Sequence, residues 1–151
     1  MIRVAKKTIL VVEDRPDDIE LLKLMFRRSR ILNPIQSVET VRDAICYLKG
    51  EGIYKDRETY PFPTLVLIDL TLSDGSGFEI LRWIRNRAPQ SPLAAVVLSG
   101  SNVDAFKQAY ELGAHSFLTK PLKFEDFENM VSHVRGIKLS STPEGRLLEL
   151  E

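Results

Sequence analysis

Three carboxylates (Glu13, Asp14 and Asp69), a hydroxyl (Ser99) and an ammonium (Lys120) each follow a short apolar or β-branched run. In an open parallel sheet, ligand sites lie beyond the carboxyl ends of the strands, so residues in these positions converge on one rim. Three carboxylates meeting there repel one another unless a cation or a lysine compensates, because like charges at close range disfavour ionisation. Hard oxygen donors without a His or Cys partner suit Mg²⁺, which keeps several waters and is commonly completed by a phosphate. Asp69 is then either a third metal ligand or a nucleophile, since aspartate carboxylates form acyl phosphates. Ser99 would donate a hydrogen bond to a transferred phosphoryl group and Lys120 a point charge. Little more is required, because phosphoryl transfer is mainly positioning and charge neutralisation.

The elements that must position these groups are legible as periodicity. Five short runs, Thr8 to Val12, Ile35 to Val38, Thr64 to Ile68, Leu93 to Leu98 and His115 to Leu118, alternate with stretches of helical spacing. That alternation predicts βαβ units around a parallel sheet. The third and fourth runs are continuously apolar, as central strands covered on both faces must be, whereas the second and fifth look peripheral. Ile19, Leu22, Met25 and Phe26 form one helical stripe, and Val41, Ala44, Ile45 and Leu48 a second. Ile80, Leu81 and Ile84 suit a third helix, Val103, Phe106 and Tyr110 a fourth, and Phe127, Met130, Val131 and Val134 a fifth. Gly50 and Gly113 stand where left-handed caps are expected, and Ser101 or Asn102 where an N-cap is. The stretch from Gly50 to Pro63, with Tyr54, Tyr60 and Phe62, reads as an ordered surface excursion. Residues 1–138 make one domain. Residues 139–151 read as a tail, disordered in part, with Leu150-Glu151 resembling a cloning remnant.

Composition narrows the function classes. The chain has 151 residues, enough for about one domain, and 44% of them are hydrophobic. Lys plus Arg (21) balance Asp plus Glu (21), so no global positive field invites nucleic acid or an anionic membrane. The single Cys46 cannot form an internal bridge, which fits a reducing compartment. The apolar run after Arg3, Lys6 and Lys7 is too short for a signal-peptide core, and no stretch approaches the ~20 residues of a membrane helix. A cytoplasmic protein is expected.

Four pieces in order carry a family resemblance: Val11-Val12-Glu13-Asp14, Ile68-Asp69-Leu70 with Gly77 eight residues on, Val97-Leu98-Ser99-Gly100, and Lys120-Pro121. From about Lys7 to Lys138 the chain resembles a two-component response-regulator receiver domain of the stand-alone, CheY-like type. The resemblance implies a flavodoxin-like, doubly wound sheet of order 2-1-3-4-5 with five helices. It also implies that Asp69 accepts phosphate from a histidine kinase or phosphotransfer protein. Glu13, Asp14, Asp69 and the backbone carbonyl of Thr71 would hold Mg²⁺, while Ser99 and Lys120 would engage the phosphoryl group. Phe117 stands at the family's switch aromatic, three residues before the lysine, but lacks a hydroxyl. Lys120-Pro121 matches the family's cis peptide. Ser73 stands where many receivers carry proline, which loosens the loop after the phosphoacceptor. Thr71 and Ser101, small and neutral, occupy the two positions that in similar receivers flank the path of the hydrolytic water, and the resemblance implies a phosphorylated lifetime not shortened by a built-in acid or amide there. The Gly50 to Pro63 excursion resembles the receivers that pair with bacterial phytochrome kinases.

The resemblance implies a switch and not an enzyme, with output through a partner surface of the fourth helix, fifth strand and fifth helix, by homodimerisation or docking elsewhere. No direct contact with nucleic acid or membrane is expected. The competing readings are a pseudo-receiver or scaffold acting by constitutive binding, and a hydrolase with an aspartyl nucleophile. The complete set of site residues opposes the first. Against the second, Thr71 stands where such hydrolases carry a second aspartate. His115 and His133 lie outside the cluster and read as structural, and Cys46 as a small buried hydrophobe. Arg27, Arg28 and Arg30 close the first helix, and Arg82, Arg85 and Arg87 the third, where positive charge suits the helix dipole.

Overall fold

The computed structural model describes residues 6–87, 92–100 and 103–151. Strands β1 (Ile9–Val12), β2 (Ile35–Val38), β3 (Leu65–Asp69), β6 (Ala94–Ser99) and β7 (Ser116–Thr119) form one parallel sheet. Its order is β2-β1-β3-β6-β7, the expected 2-1-3-4-5 when only these five strands are counted. Two short strands, β4 (Thr71–Leu72) and β5 (Gly75–Ser76), make a small hairpin directly after β3. A second hairpin, β8 (Ile137–Ser141) and β9 (Arg146–Leu150), ends the chain. The helices are α1 (Pro16–Arg28), α2 (Val41–Lys49), α3 (Gly77–Asn86), α4 (Val103–Glu111) and α5 (Phe124–His133).

Successive residues of a strand point to opposite faces of its sheet, and the central strands divide accordingly. Leu10, Val12, Val66, Ile68, Ala95 and Val97 pack with α2, α3 and α4 in one core. Ile9, Val11, Leu65, Leu67, Ala94, Val96 and Leu98 pack with α1 and α5 in the other. Both faces are therefore covered, which explains the continuous apolar runs of β1, β3 and β6.

The helix ends follow local chemistry. Pro16 opens α1 with Asp17 and Asp18 in its first turn and Arg27 and Arg28 in its last, in accord with the helix dipole. Arg30 is not part of that helix: it adopts φ 57°, and its guanidinium donates to the Glu144 carbonyl at 2.6 Å. Gly50 takes the left-handed cap expected of it at φ 72°. Arg57 completes that end of α2 by donating to the carbonyls of Tyr47 (2.8 Å) and Leu48 (2.9 Å). The excursion from Gly50 to Pro63 is ordered around this arginine, a 3₁₀ turn at Gly52–Lys55 and the buried Tyr47. The Tyr47 hydroxyl donates to the Pro61 carbonyl at 2.9 Å, and Tyr54 and Tyr60 pack about its ring. Tyr110, which spacing places on the fourth helix, is in α4 and 48% exposed. Cys46 is half-buried and unpaired. His115 is structural, its Nδ1 accepting the Ala95 amide at 3.0 Å. The expected N-cap residues Ser101 and Asn102 lie outside the described residues.

The main correction concerns residues 139–151, which the sequence suggests are a tail. They form most of the β8–β9 hairpin, and Leu148 is fully buried against α1 and α5. The hairpin is tied to the segment after α1. Leu32 N–H donates to Arg146 O at 2.9 Å and Arg146 N–H to Arg30 O at 2.7 Å. The Asn33 side chain donates to Leu148 O at 2.9 Å and accepts from Leu148 N–H at 2.7 Å. The hairpin is hard to see in the sequence because Ser140, Ser141, Thr142, Pro143 and Gly145 interrupt its hydrophobic pattern, and its polar anchors are backbone groups, the Asn33 amide and the guanidinium groups of Arg30 and Arg146. No helix among the described residues is long and apolar enough to cross a membrane.

Asn33→Ala leaves both buried backbone groups of Leu148 unpaired. Each such group costs about 1–3 kcal/mol, so urea unfolding should show the variant less stable by about 2 kcal/mol or more. A loss under about 0.5 kcal/mol would mean that the hairpin is not held through this amide.

Candidate functional site

The carboxyl ends of β1, β3, β6 and β7 bring the sequence-derived residues to a single rim. Glu13 and Asp14 follow β1, Asp69 ends β3, Ser99 ends β6, and Lys120 follows β7. Parallel registry fixes their relative heights, since Val12 pairs with Ile68, Asp69 with Leu98, and Ser99 with Thr119. Glu13 and Asp69 are almost completely buried, at 2% and 6% exposure, while Asp14, Ser99 and Lys120 are half-buried.

The Lys120 ammonium links the cluster. It donates to Glu13 Oε1, to Asp69 Oδ2 at 3.0 Å and to Asp18 Oδ2 at 3.1 Å. The other oxygens of Glu13 and Asp69 are met by backbone amides. Glu13 Oε2 accepts from Asp14 N–H at 3.0 Å and Arg15 N–H at 3.4 Å, and Asp69 Oδ1 accepts from Thr71 N–H at 3.0 Å. Burial, followed by the neighbouring Asp69 carboxyl, pushes the Glu13 pKa up to about 7 even though Lys120 pulls it down. Burial also works against the Lys120 charge, but its bonds to Glu13, Asp69 and Asp18 outweigh that and hold its pKa above the usual lysine range. A shortage of positive charge relative to carboxylates is the electrostatic character of the site.

One oxygen each from Glu13, Asp14 and Asp69 lies within 4.8 Å of the others. An all-oxygen set of this kind, with no nitrogen or sulfur donor, fits a hard divalent cation. Gly77 makes the packing beside Asp69 feasible: a Cβ there would stand 2.5 Å from the Asp69 carbonyl oxygen and 2.8 Å from Ile68. The first turn of α3 therefore closes against the strand that carries Asp69 only without a side chain at 77.

The remaining site residues are placed as follows. Lys120-Pro121 is cis, as anticipated. Thr71 is exposed, in β4. Phe117 points away from the rim toward α4; it is 37% exposed, stacked on Phe106 at 4.1 Å with Tyr110 edge-on at 5.5 Å. Ser101 lies outside the described residues. Sequence reasoning did not single out Asp18. It lies in the first turn of α1, where an acidic residue already has a reason to stand in the helix dipole, and only the fold brings Lys120 to it.

Residues 9–132 match the family model described as the response regulator receiver domain. The response regulator Rcp1 of Synechocystis sp. is 31% identical over 136 residues, covering 89% of this chain and 90% of that protein. The response regulator protein PilR of Pseudomonas aeruginosa is 34% identical over 128 residues, or 85% of this chain, which spans only about a quarter (26%) of PilR's length. Among solved structures, the bacteriophytochrome response regulator RtBRR has a TM-score of 0.80 at 30% identity, covering 93% of this chain and 84% of that one. A manganese-bound form of Rcp1 has a TM-score of 0.67 at 32% identity, covering 82% and 88%. With its strand order, its acidic rim and a family match over most of its length, the chain belongs to the response regulator receiver domain family of two-component signalling.

Proposed function

We propose that this chain is a phosphorylation switch in which Asp69 receives a phosphoryl group from the histidine of a sensor kinase or phosphotransfer protein. The observation that carries this reading is the Lys120 ammonium held between Glu13 and Asp69, beside three carboxylates whose oxygens lie within 4.8 Å. An Asp69 carboxylate oxygen attacks the phosphorus of phosphohistidine, the N–P bond breaks, and the imidazole leaves with the electron pair. Lys120 is already in hydrogen-bond contact with Asp69 and neutralises charge there as the acyl phosphate forms. Ser99, at the end of the adjoining strand, donates its hydroxyl to the phosphoryl oxygens. Thr71 N–H holds Asp69 Oδ1 and Lys120 holds Oδ2, so the nucleophilic carboxylate is oriented through both oxygens.

Glu13, Asp14, Asp69 and the Thr71 carbonyl would hold Mg²⁺, which when bound supplies positive charge at the phosphoryl oxygens. The similar protein Rcp1 has been solved in a manganese-bound form, which supports a divalent ion at this acidic rim. Likeness to the bacteriophytochrome response regulator RtBRR supports a phytochrome-type kinase as donor, and membership of the receiver family supports a cytoplasmic setting. Output passes through the face of α4, β7 and α5, where Phe117 and Tyr110 are exposed, to a partner or to a second copy of the chain. In this reading the chain is a switch, not an enzyme with turnover of its own.

Intact mass after incubation with a small acyl-phosphate donor and Mg²⁺ should show one added phosphoryl group, lost with chelator and absent in Asp69→Asn. Labelling retained in Asp69→Asn would sink the assignment. The raised Glu13 pKa sets a second expectation. Because metal binds the carboxylate form, Mg²⁺ affinity should rise with pH and level off above about 7. Below that value it should fall by up to about tenfold per pH unit. Calorimetry at pH 6 in buffers of different ionisation enthalpy should detect proton release on binding, and affinity flat from pH 5.5 to 8 would contradict the role given to Glu13.

A further inference from the structure

We propose that Asp74 is a positioning residue for the metal and phosphoryl site, acting as a tether that holds the loop after Asp69 against the start of α2. The inference rests on the receiver reading above, in which the Thr71 carbonyl is a metal ligand. Thr71 belongs to the β4–β5 hairpin, whose pairs are Thr71 with Ser76 and Leu72 with Gly75. The base of that hairpin is secured at the site, by Thr71 N–H on Asp69 Oδ1 at 3.0 Å and Gly77 N–H on Leu70 O at 3.1 Å. Its tip is Ser73-Asp74, and Ser73 stands where a proline would stiffen it in many receivers. The tip needs another restraint, and Asp74 supplies one.

Both Asp74 oxygens are engaged across the fold. Oδ1 accepts from Val41 N–H at 2.8 Å and Oδ2 from Arg42 N–H at 3.1 Å, the first two amides of α2. The third amide, of Asp43, donates to Thr40 Oγ1 at 3.0 Å. Helix starts ordinarily leave these donors to nearby side chains or water. Here two of the three are met by a residue more than thirty positions away, so the start of α2 and the tip of the hairpin are fixed together. A carboxylate at a helix N-terminus also gains from the dipole, and those amide bonds hold the Asp74 carboxyl below the usual range. The hairpin carrying Thr71 is consequently clamped at both ends, without proline.

Removing the tether frees the tip, so that fixing the Thr71 carbonyl on the ion then costs conformational entropy which the intact protein has already met. The test compares wild type, Asp74→Ala and the double variant Asp74→Ala/Ser73→Pro by Mg²⁺ calorimetry and by amide hydrogen exchange in the metal-free protein. Asp74→Ala should weaken Mg²⁺ binding by about fivefold, in the range of ordinary coupling between sites. It should also speed exchange at Thr71 and Gly77 as well as at Val41 and Arg42. Proline at 73 should recover the affinity and the protection of Thr71 while Val41 and Arg42 stay unprotected, an outcome that a merely helix-capping role would not produce. Unchanged affinity in Asp74→Ala, or lost affinity that proline does not recover, would overturn the proposal. Should wild type bind no Mg²⁺, the metal reading fails and the tether is judged on exchange alone: unchanged protection at Thr71 in Asp74→Ala would overturn it.

Discussion

The arrangement of this protein depends on one electrostatic constraint, the convergence of more carboxylates on a sheet rim than the local cations can neutralise. Glu13 and Asp69 are nearly inaccessible, Asp14 and Asp18 lie beside them, and Lys120 is the ammonium at their centre. Buried charge of this kind is costly unless paired and hydrogen-bonded, and the structure meets the cost with Lys120 and with the amides of Asp14, Arg15 and Thr71. The remaining imbalance shows in Glu13, whose carboxyl is pushed up to about 7. A site poised in this way gains from a bound cation, and a phosphoryl group on Asp69, which adds negative charge, raises the demand on that cation and on Lys120; this redistribution is the physical basis for reading it as a switch.

The rest of the fold keeps those groups at fixed heights. Parallel pairing sets β1, β3, β6 and β7 in register, and the alternation of their side chains locks the sheet between two cores. A slip of one residue would exchange the faces of an entire strand, so the apolar packing enforces the position of each terminal carboxylate. Close approach matters as much as registry. Gly77 allows α3 to begin against the Asp69 carbonyl, and the Asp69 side chain in turn receives the Thr71 amide.

Away from the rim, long-range polar contacts join segments distant in the chain. Arg57 closes the end of α2 from within the aromatic excursion, and Asn33 substitutes its amide for a strand partner of Leu148. Asp74 does the same for the start of α2. Each contact satisfies backbone groups that would otherwise be left without partners.

Local pattern was enough to place the five sheet strands, the helices and the rim residues, and the family resemblance added the strand order. Apolar periodicity is a local property, and a polar residue after an apolar run marks a strand end wherever the strand lies. Glu13, Asp14, Asp69, Ser99 and Lys120 were legible for that reason. What those residues touch followed only from the packed fold. Asp18 joined Lys120, Phe117 turned outward onto Phe106, Arg30 left the helix its position suggested it would close, and residues 139–151 folded back as a hairpin. These outcomes rest on hydrogen bonds and ring contacts between residues distant in the chain. Such pairings leave no periodic trace, because the partner's position is set by the packing of the elements between them.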